Sequence, residues 1–119
     1  MNNRDSQIIR HILNYCEKIE CTVRRFGADS AIFIADPDYR DSIAMNLLQI
    51  GELAGKLSPD YILSSAQNWR AIKNMRNMFA HDYGSMDIDR IWDTVIMDIP
   101  ELESFCKNEL KKEPSVSDL

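Results

Sequence analysis

Arg76 and His81, five residues apart in the stretch RNMFAHDY, are side chains with the chemistry to cut a phosphodiester. A histidine titrates near neutrality, so its ring can take a proton from an RNA 2′-hydroxyl or return one to the leaving oxygen. An arginine presents a planar fork of donors to a phosphate and stabilises the charge that grows there in the transition state. Asn77, beside the arginine, can hydrogen-bond the histidine or the phosphate, and Tyr83 follows the histidine by two. Arg70 and Lys73, two turns and one turn before Arg76, are candidate phosphate contacts. This chemistry calls for no metal or cofactor, and none is expected: His81 has no second histidine at ligand spacing and no carboxylate cluster around it. Spacing alone also leaves plainer roles open, with Arg76 as an ion-pair partner for a neighbouring helix and Tyr83 as a helix-end aromatic.

Helical geometry constrains how these groups meet. At about 100° per residue, Arg76 and Tyr83 fall within about 20° of each other, whereas His81 lies about 140° from Arg76 and shares its face with Asn77. Arg76 and His81 of one regular helix therefore do not converge on one small group. Either the helix loosens before His81, or the two residue types meet from two copies of the chain across a twofold axis.

The elements that must position them read as helices throughout. From about Arg4 to Phe26, the residues Ile8, Ile12, Cys16, Ile19, Val23 and Phe26 recur at three- and four-residue steps, and Gly27 ends that run. Asp29 can cap a short helix through Ile34, and Pro37 suits the first turn of a second long helix. The stripe of that helix is Ile43, Leu47, Ile50, Ala54 and Leu57, with Gly51 and Gly55 on one side for close contact with another helix. Ser58-Pro59 opens a short segment to about Ala66. A helix from near Asn68 then turns Trp69, Ile72, Met75 and Phe79 inward and runs out at Gly84. Asp87 caps the last helix, in which Pro100 predicts a kink or break, and its acidic residues (Asp87, Asp89, Asp93, Asp98, Glu101, Glu103) read as a solvated face. No segment alternates with period two. The expectation is an all-α, antiparallel helical bundle, a single domain over residues 1–113 with a frayed tail at 114–119.

Composition narrows the function classes. A chain of 119 residues suits one core, and its longest uninterrupted apolar stretch, Ala31 to Ala35, is far too short to span a bilayer. The N-terminus carries no apolar run of the signal-peptide kind, so a soluble, cytoplasmic protein without a membrane partner is expected. Cys16, Cys21 and Cys106 form no C-x-x-C pair and read as reduced, partly buried thiols. A net charge of −5 argues against a general polyanion binder, yet leaves room for a local basic patch.

The motif R-x-x-x-x-H-x-Y, here Arg76, His81 and Tyr83, resembles the signature of HEPN-domain toxins of the HepT type. The segments IGELAGKLS, NWRAIKNMRNMFAHDYG and DIDRIWDTVIMDIPEL are similar to the corresponding runs of that family, so the likeness covers roughly Arg4 to Leu110. The family often has a small residue where Leu53 stands. The resemblance implies a HEPN bundle that forms a homodimer with the motif near the twofold axis. It further implies a metal-independent endoribonuclease toxin, silenced when a nucleotidyltransferase antitoxin of the MNT type adds AMP to the motif tyrosine. Carried onto this chain, Arg76 and His81 are catalytic, Asn77 auxiliary and Tyr83 the modified position, with Glu52 available to orient Arg76. The competing reading is a noncatalytic helical module that binds a nucleotidyltransferase or RNA without cutting it.

Overall fold

A computed structural model describes residues 1–77 and 88–113, and the regular structure among them is entirely helical. Helix α1 (Asn3–Phe26) starts where the Asn2 side chain accepts the Asp5 N–H at 2.7 Å. It closes at Gly27, whose φ of +115° few other residues adopt and whose N–H donates to the Val23 carbonyl. Asp29 caps α2 (Ser30–Ala35) and Asp36 caps α3 (Pro37–Ala54), each through its carboxylate, with Pro37 in the first turn of α3. Ser58 caps α4 (Pro59–Ser64), and α5 is described over Trp69–Asn77. The last helical run comprises α6 (Ile88–Asp93), a π-helical turn (Thr94–Asp98) and α7 (Ile99–Lys111).

The side-chain pairs between helices establish the topology. Asp5 meets Ser58 beyond one end of the α1–α3 contact, and Thr22 meets Ser42 at 3.4 Å toward the other, so these helices run antiparallel. Ser6 donates to Glu113 and Glu20 hydrogen-bonds Glu103, so α1 and α7 are antiparallel too. Gly51 faces Arg76 and Gly55 faces Lys73, which sets α5 antiparallel to α3. The fold is the all-α antiparallel bundle that the periodicity predicts.

Its core follows the expected stripes. Ile12, Cys16 and Ile19 of α1 and Ile43, Leu47, Ile50 and Ala54 of α3 are fully buried, as is Ile9, which lies beside the α1 stripe. Two aromatic clusters fasten the shorter elements. Phe26 stacks on Tyr39 at 4.9 Å, and Phe33 lies 5.1 Å from both Tyr39 and Trp92, joining α2, α3 and α6. Trp69 meets the edge of Phe105 at 5.5 Å and lies 6.0 Å from Tyr61, which seats the start of α5 against α7 and α4.

Pro100 takes effect just upstream of itself. It has no N–H to give the Ile96 carbonyl, and the helix widens before it: the Ile99 N–H donates to Thr94, five residues back. The expected kink or break is thus a π turn inside a continuous helical run. Glu103 corrects the reading of a solvated acidic face, because it bonds Glu20 and Lys107 and its side chain is only 13% exposed. Asp5 and Glu109 are buried as well. Asp5 accepts the Ser58 N–H at 2.9 Å and hydroxyl at 2.6 Å, while Glu109 accepts the Tyr61 hydroxyl at 2.6 Å. Cys16 and Cys106 are buried free thiols and Cys21 is exposed; burial pushes Cys106 up to about 12 and Cys16 in the same direction. The end of the helix at Gly84, the Asp87 cap and the 114–119 tail lie outside the described residues. Among the described residues no helix is long and apolar enough to cross a membrane.

Candidate functional site

Helix α5 repeats a three-residue pattern. Trp69, Ile72 and Met75 are buried, and each is followed by an exposed cation: Arg70, Lys73 and Arg76. Three-residue steps make the cations one oblique ridge, about 100° around the helix from the buried anchors. The apolar face is fixed by the core, so the ridge is fixed with it. Its Arg76 end lies against α3.

The approach there is close. A Cβ added at Gly51 would stand 2.6 Å from the Arg76 backbone nitrogen, 2.8 Å from its Cβ and 3.1 Å from its Cα. Only a residue without a side chain lets the two helices meet at this point, which explains one of the two glycines in the α3 stripe. The next residue, Glu52, takes up the arginine: Arg76 Nε lies 3.2 Å from Glu52 Oε1. The two side chains are 57% and 43% exposed, so water screens the pair and its contribution to stability is about 0–1 kcal/mol. Its larger consequence is directional. With Nε engaged by Glu52, the terminal nitrogens of the guanidinium remain as a fork for an anion.

The structure thus brings together Arg76, Glu52 and, one turn back on the same ridge, Lys73, with Arg70 a further turn away. Asn77 follows Arg76 within α5. His81 and Tyr83 lie outside the described residues. Among the described residues no group of three histidine, cysteine, aspartate or glutamate side chains could hold a metal ion. A second polar cluster, around Asp5, Ser58, Tyr61 and Glu109, is internally satisfied and joins α1, α4 and α7, so it reads as structural. Sequence reasoning placed Gly51 at a helix contact without identifying Arg76 as the residue it meets. The signal available was the pairing of a GxxxG stripe with an arginine in a later helix, and a single chain does not specify such a pairing.

Residues 12–109 match the family described as ribonuclease HepT-like, and the chain belongs to that family. A relative from Caldanaerobacter subterraneus subsp. tengcongensis, named as a candidate RNase, is 31% identical over 106 residues, covering 88% of this chain and 93% of that protein. No solved structure matches the chain at a significant level.

Proposed function

We propose that this protein is a metal-independent endoribonuclease, the toxin of a toxin–antitoxin pair, acting as a homodimer. The observation that carries the reading is Arg76 itself: an exposed guanidinium at the end of a cationic ridge, braced by Glu52, five residues before the histidine of the family motif. His81 takes the proton of an RNA 2′-hydroxyl, and the 2′-oxygen attacks the adjacent phosphorus. The bond to the 5′-oxygen breaks, a proton is returned to that oxygen, and the products carry a 2′,3′-cyclic phosphate and a 5′-hydroxyl. Arg76 stabilises the charge on the phosphate oxygens, and Asn77 assists by hydrogen bonding. A complete site drawn from two copies of the chain is what the family resemblance supports, and it would join Arg76 and His81 even where a regular helix would hold them about 140° apart.

Control falls to Tyr83. Addition of AMP there by a partner nucleotidyltransferase would add a phosphate that can compete with RNA phosphate for the guanidinium and a nucleoside that blocks access. Support for this part comes from the motif and the family; the geometry of Tyr83 does not enter it.

The decisive experiment incubates purified protein with total RNA in EDTA beside a His81→Ala control. Cleavage with cyclic-phosphate ends that disappears in the variant is the expected result. Full activity in His81→Ala, or a strict need for Mg²⁺, overturns the proposed chemistry.

A further inference from the structure

Arg76 is one of two α5 cations laid across α3. The Lys73 Cε lies 3.9 Å from where a Cβ on Gly55 would stand, so the lysine stem runs over that glycine. Next to Gly55, Lys56 is exposed where α3 gives way to the turn before Ser58. Among the described residues neither Lys56 nor Lys73 has a carboxylate within ion-pair distance, whereas Lys107, Lys112 and Arg10 each do. In a chain of net charge −5, the Gly51–Gly55 seam is thus edged by Arg76, Lys73 and Lys56.

We infer that this seam is the track for the RNA backbone, with Arg76 at the reacting phosphate and Lys73 and Lys56 holding phosphates to one side of the cut. The inference rests on the ribonuclease reading and adds to it the path of the substrate. Residues three apart on a helix are about 5–6 Å from each other, so Arg76 and Lys73 can engage neighbouring phosphates of an extended strand. Lys56 continues the line from α5 onto α3. Gly51 is buried beneath α5, so the strand passes over that contact rather than into it, while exposed Gly55 leaves room beside the Lys73 stem. Lysines are point charges without a fixed fork, which suits a repeating anion and carries no base preference. Glu52 partly offsets the charge of Arg76, so the lysines contribute most of the attraction along the track.

The test uses a single-stranded oligoribonucleotide with every 2′-hydroxyl methylated, which the protein can bind but not cut. Its affinity is measured by fluorescence anisotropy over a salt series. Lys56→Gln and Lys73→Gln should each lower the slope of log K against log salt by about 0.7, and the double variant by about 1.4. The double variant should also bind on the order of ten-fold more weakly, equally for different base sequences, while Lys111→Gln on α7 changes nothing. On cleavable RNA the double variant should raise KM and retain kcat. Wild-type affinity and slope in the double variant overturn the track while leaving the ribonuclease reading intact. RNA binding that depends on both lysines, in a protein that cuts no RNA, sustains the track and overturns the ribonuclease reading. If Arg70→Gln costs more affinity than Lys56→Gln, the strand follows α5 alone and the seam is wrong. Unchanged RNA binding with loss of binding to the nucleotidyltransferase partner also overturns it, in favour of a protein-docking face.

Discussion

Gly51 and Arg76 touch through their backbones: a methyl group on the glycine would stand 2.6 Å from the arginine's amide nitrogen. The position of Arg76 is therefore set by the absence of a side chain on another helix. Four residues on, Gly55 is looser, with nothing closer than 3.4 Å to a Cβ placed there.

The two glycines should accordingly behave differently. Gly51→Ala must push α5 away from α3, an overpacking cost of about 1–3 kcal/mol, and should lower kcat as Arg76 moves from Glu52. Gly55→Ala should be neutral or stabilising by up to about 1 kcal/mol, because this C-cap residue has φ −66° and ψ −14°, which alanine adopts without strain, and ordinary contact distances receive the methyl. Thermal melts and single-turnover RNA cleavage on both variants decide this. Equal effects at the two positions would contradict the close contact.

Glu52 should matter for rate more than for stability. Glu52→Gln keeps an acceptor near Arg76 Nε and should leave the melting temperature almost unchanged, since an exposed pair of this kind contributes about 0–1 kcal/mol. Glu52→Ala frees the guanidinium to reorient, and kcat should fall while glutamine retains most of it. Arg76→Ala should lose around a hundred-fold or more, and Arg76→Lys should recover little, because an ammonium cannot replace the bidentate fork. Indistinguishable rates for Glu52→Ala and wild type would remove Glu52 from the site.

These relationships mark how far the sequence could be read. The three-and-four periodicity of α1 and α3, the cap at Asp29, the helix start at Ser58-Pro59 and the anchors Trp69, Ile72 and Met75 are local signals, and the bundle follows from them. Arg76 and its possible orientation by Glu52 were legible as chemistry. Which glycine meets which residue was not, because that depends on the crossing of two helices some twenty residues apart. Nor were the buried roles of Asp5 and Glu109, since a carboxylate in an amphipathic helix reads as solvated until the partner that satisfies it, Ser58 or Tyr61, is known. Lys56 carries no sequence signal of its own; what the structure adds is the Lys73 stem laid over its chain neighbour Gly55.

Asp5 offers a stability test at the Ser58 end of α3, two residues past Lys56. Its buried carboxylate accepts both the N–H and the hydroxyl of Ser58, the residue that caps α4. Asp5→Ala leaves those donors without their partner and should cost about 1–3 kcal/mol in chemical denaturation, with kcat on folded protein unchanged. Asp5→Asn retains one acceptor oxygen and should cost less. A fall in kcat matching the fall in stability would show that the turn at Ser58 also positions the seam.

The α1–α7 contact makes stability depend on pH through Glu20 and Glu103. A hydrogen bond to Glu103 is the main reason that the Glu20 carboxyl is pushed up to about 7, with burial and the charge of Glu103 adding to it and Lys107 and Arg24 opposing. Glu103 moves the other way, held down chiefly by the same hydrogen bond and then by Lys107. The arrangement is a protonated Glu20 donating to an ionised Glu103. Glu20 binds its proton more tightly in the folded chain than in the unfolded one. Its contribution is therefore complete below the ordinary carboxylate value of 4.5 and is lost as pH rises from there through about 7. The depressed Glu103 contributes above 4.5 and loses that contribution only as pH falls below it. Between about pH 5 and pH 8 the Glu20 loss dominates, and the melting temperature should decline across this range. Glu20→Gln replaces the titrating donor with an amide that donates at every pH in the range. It should flatten the decline and leave the variant more stable than wild type near the alkaline end. A wild-type melting temperature that rises over this interval, or a decline that Glu20→Gln leaves intact, would show that the proton is not shared across α1 and α7.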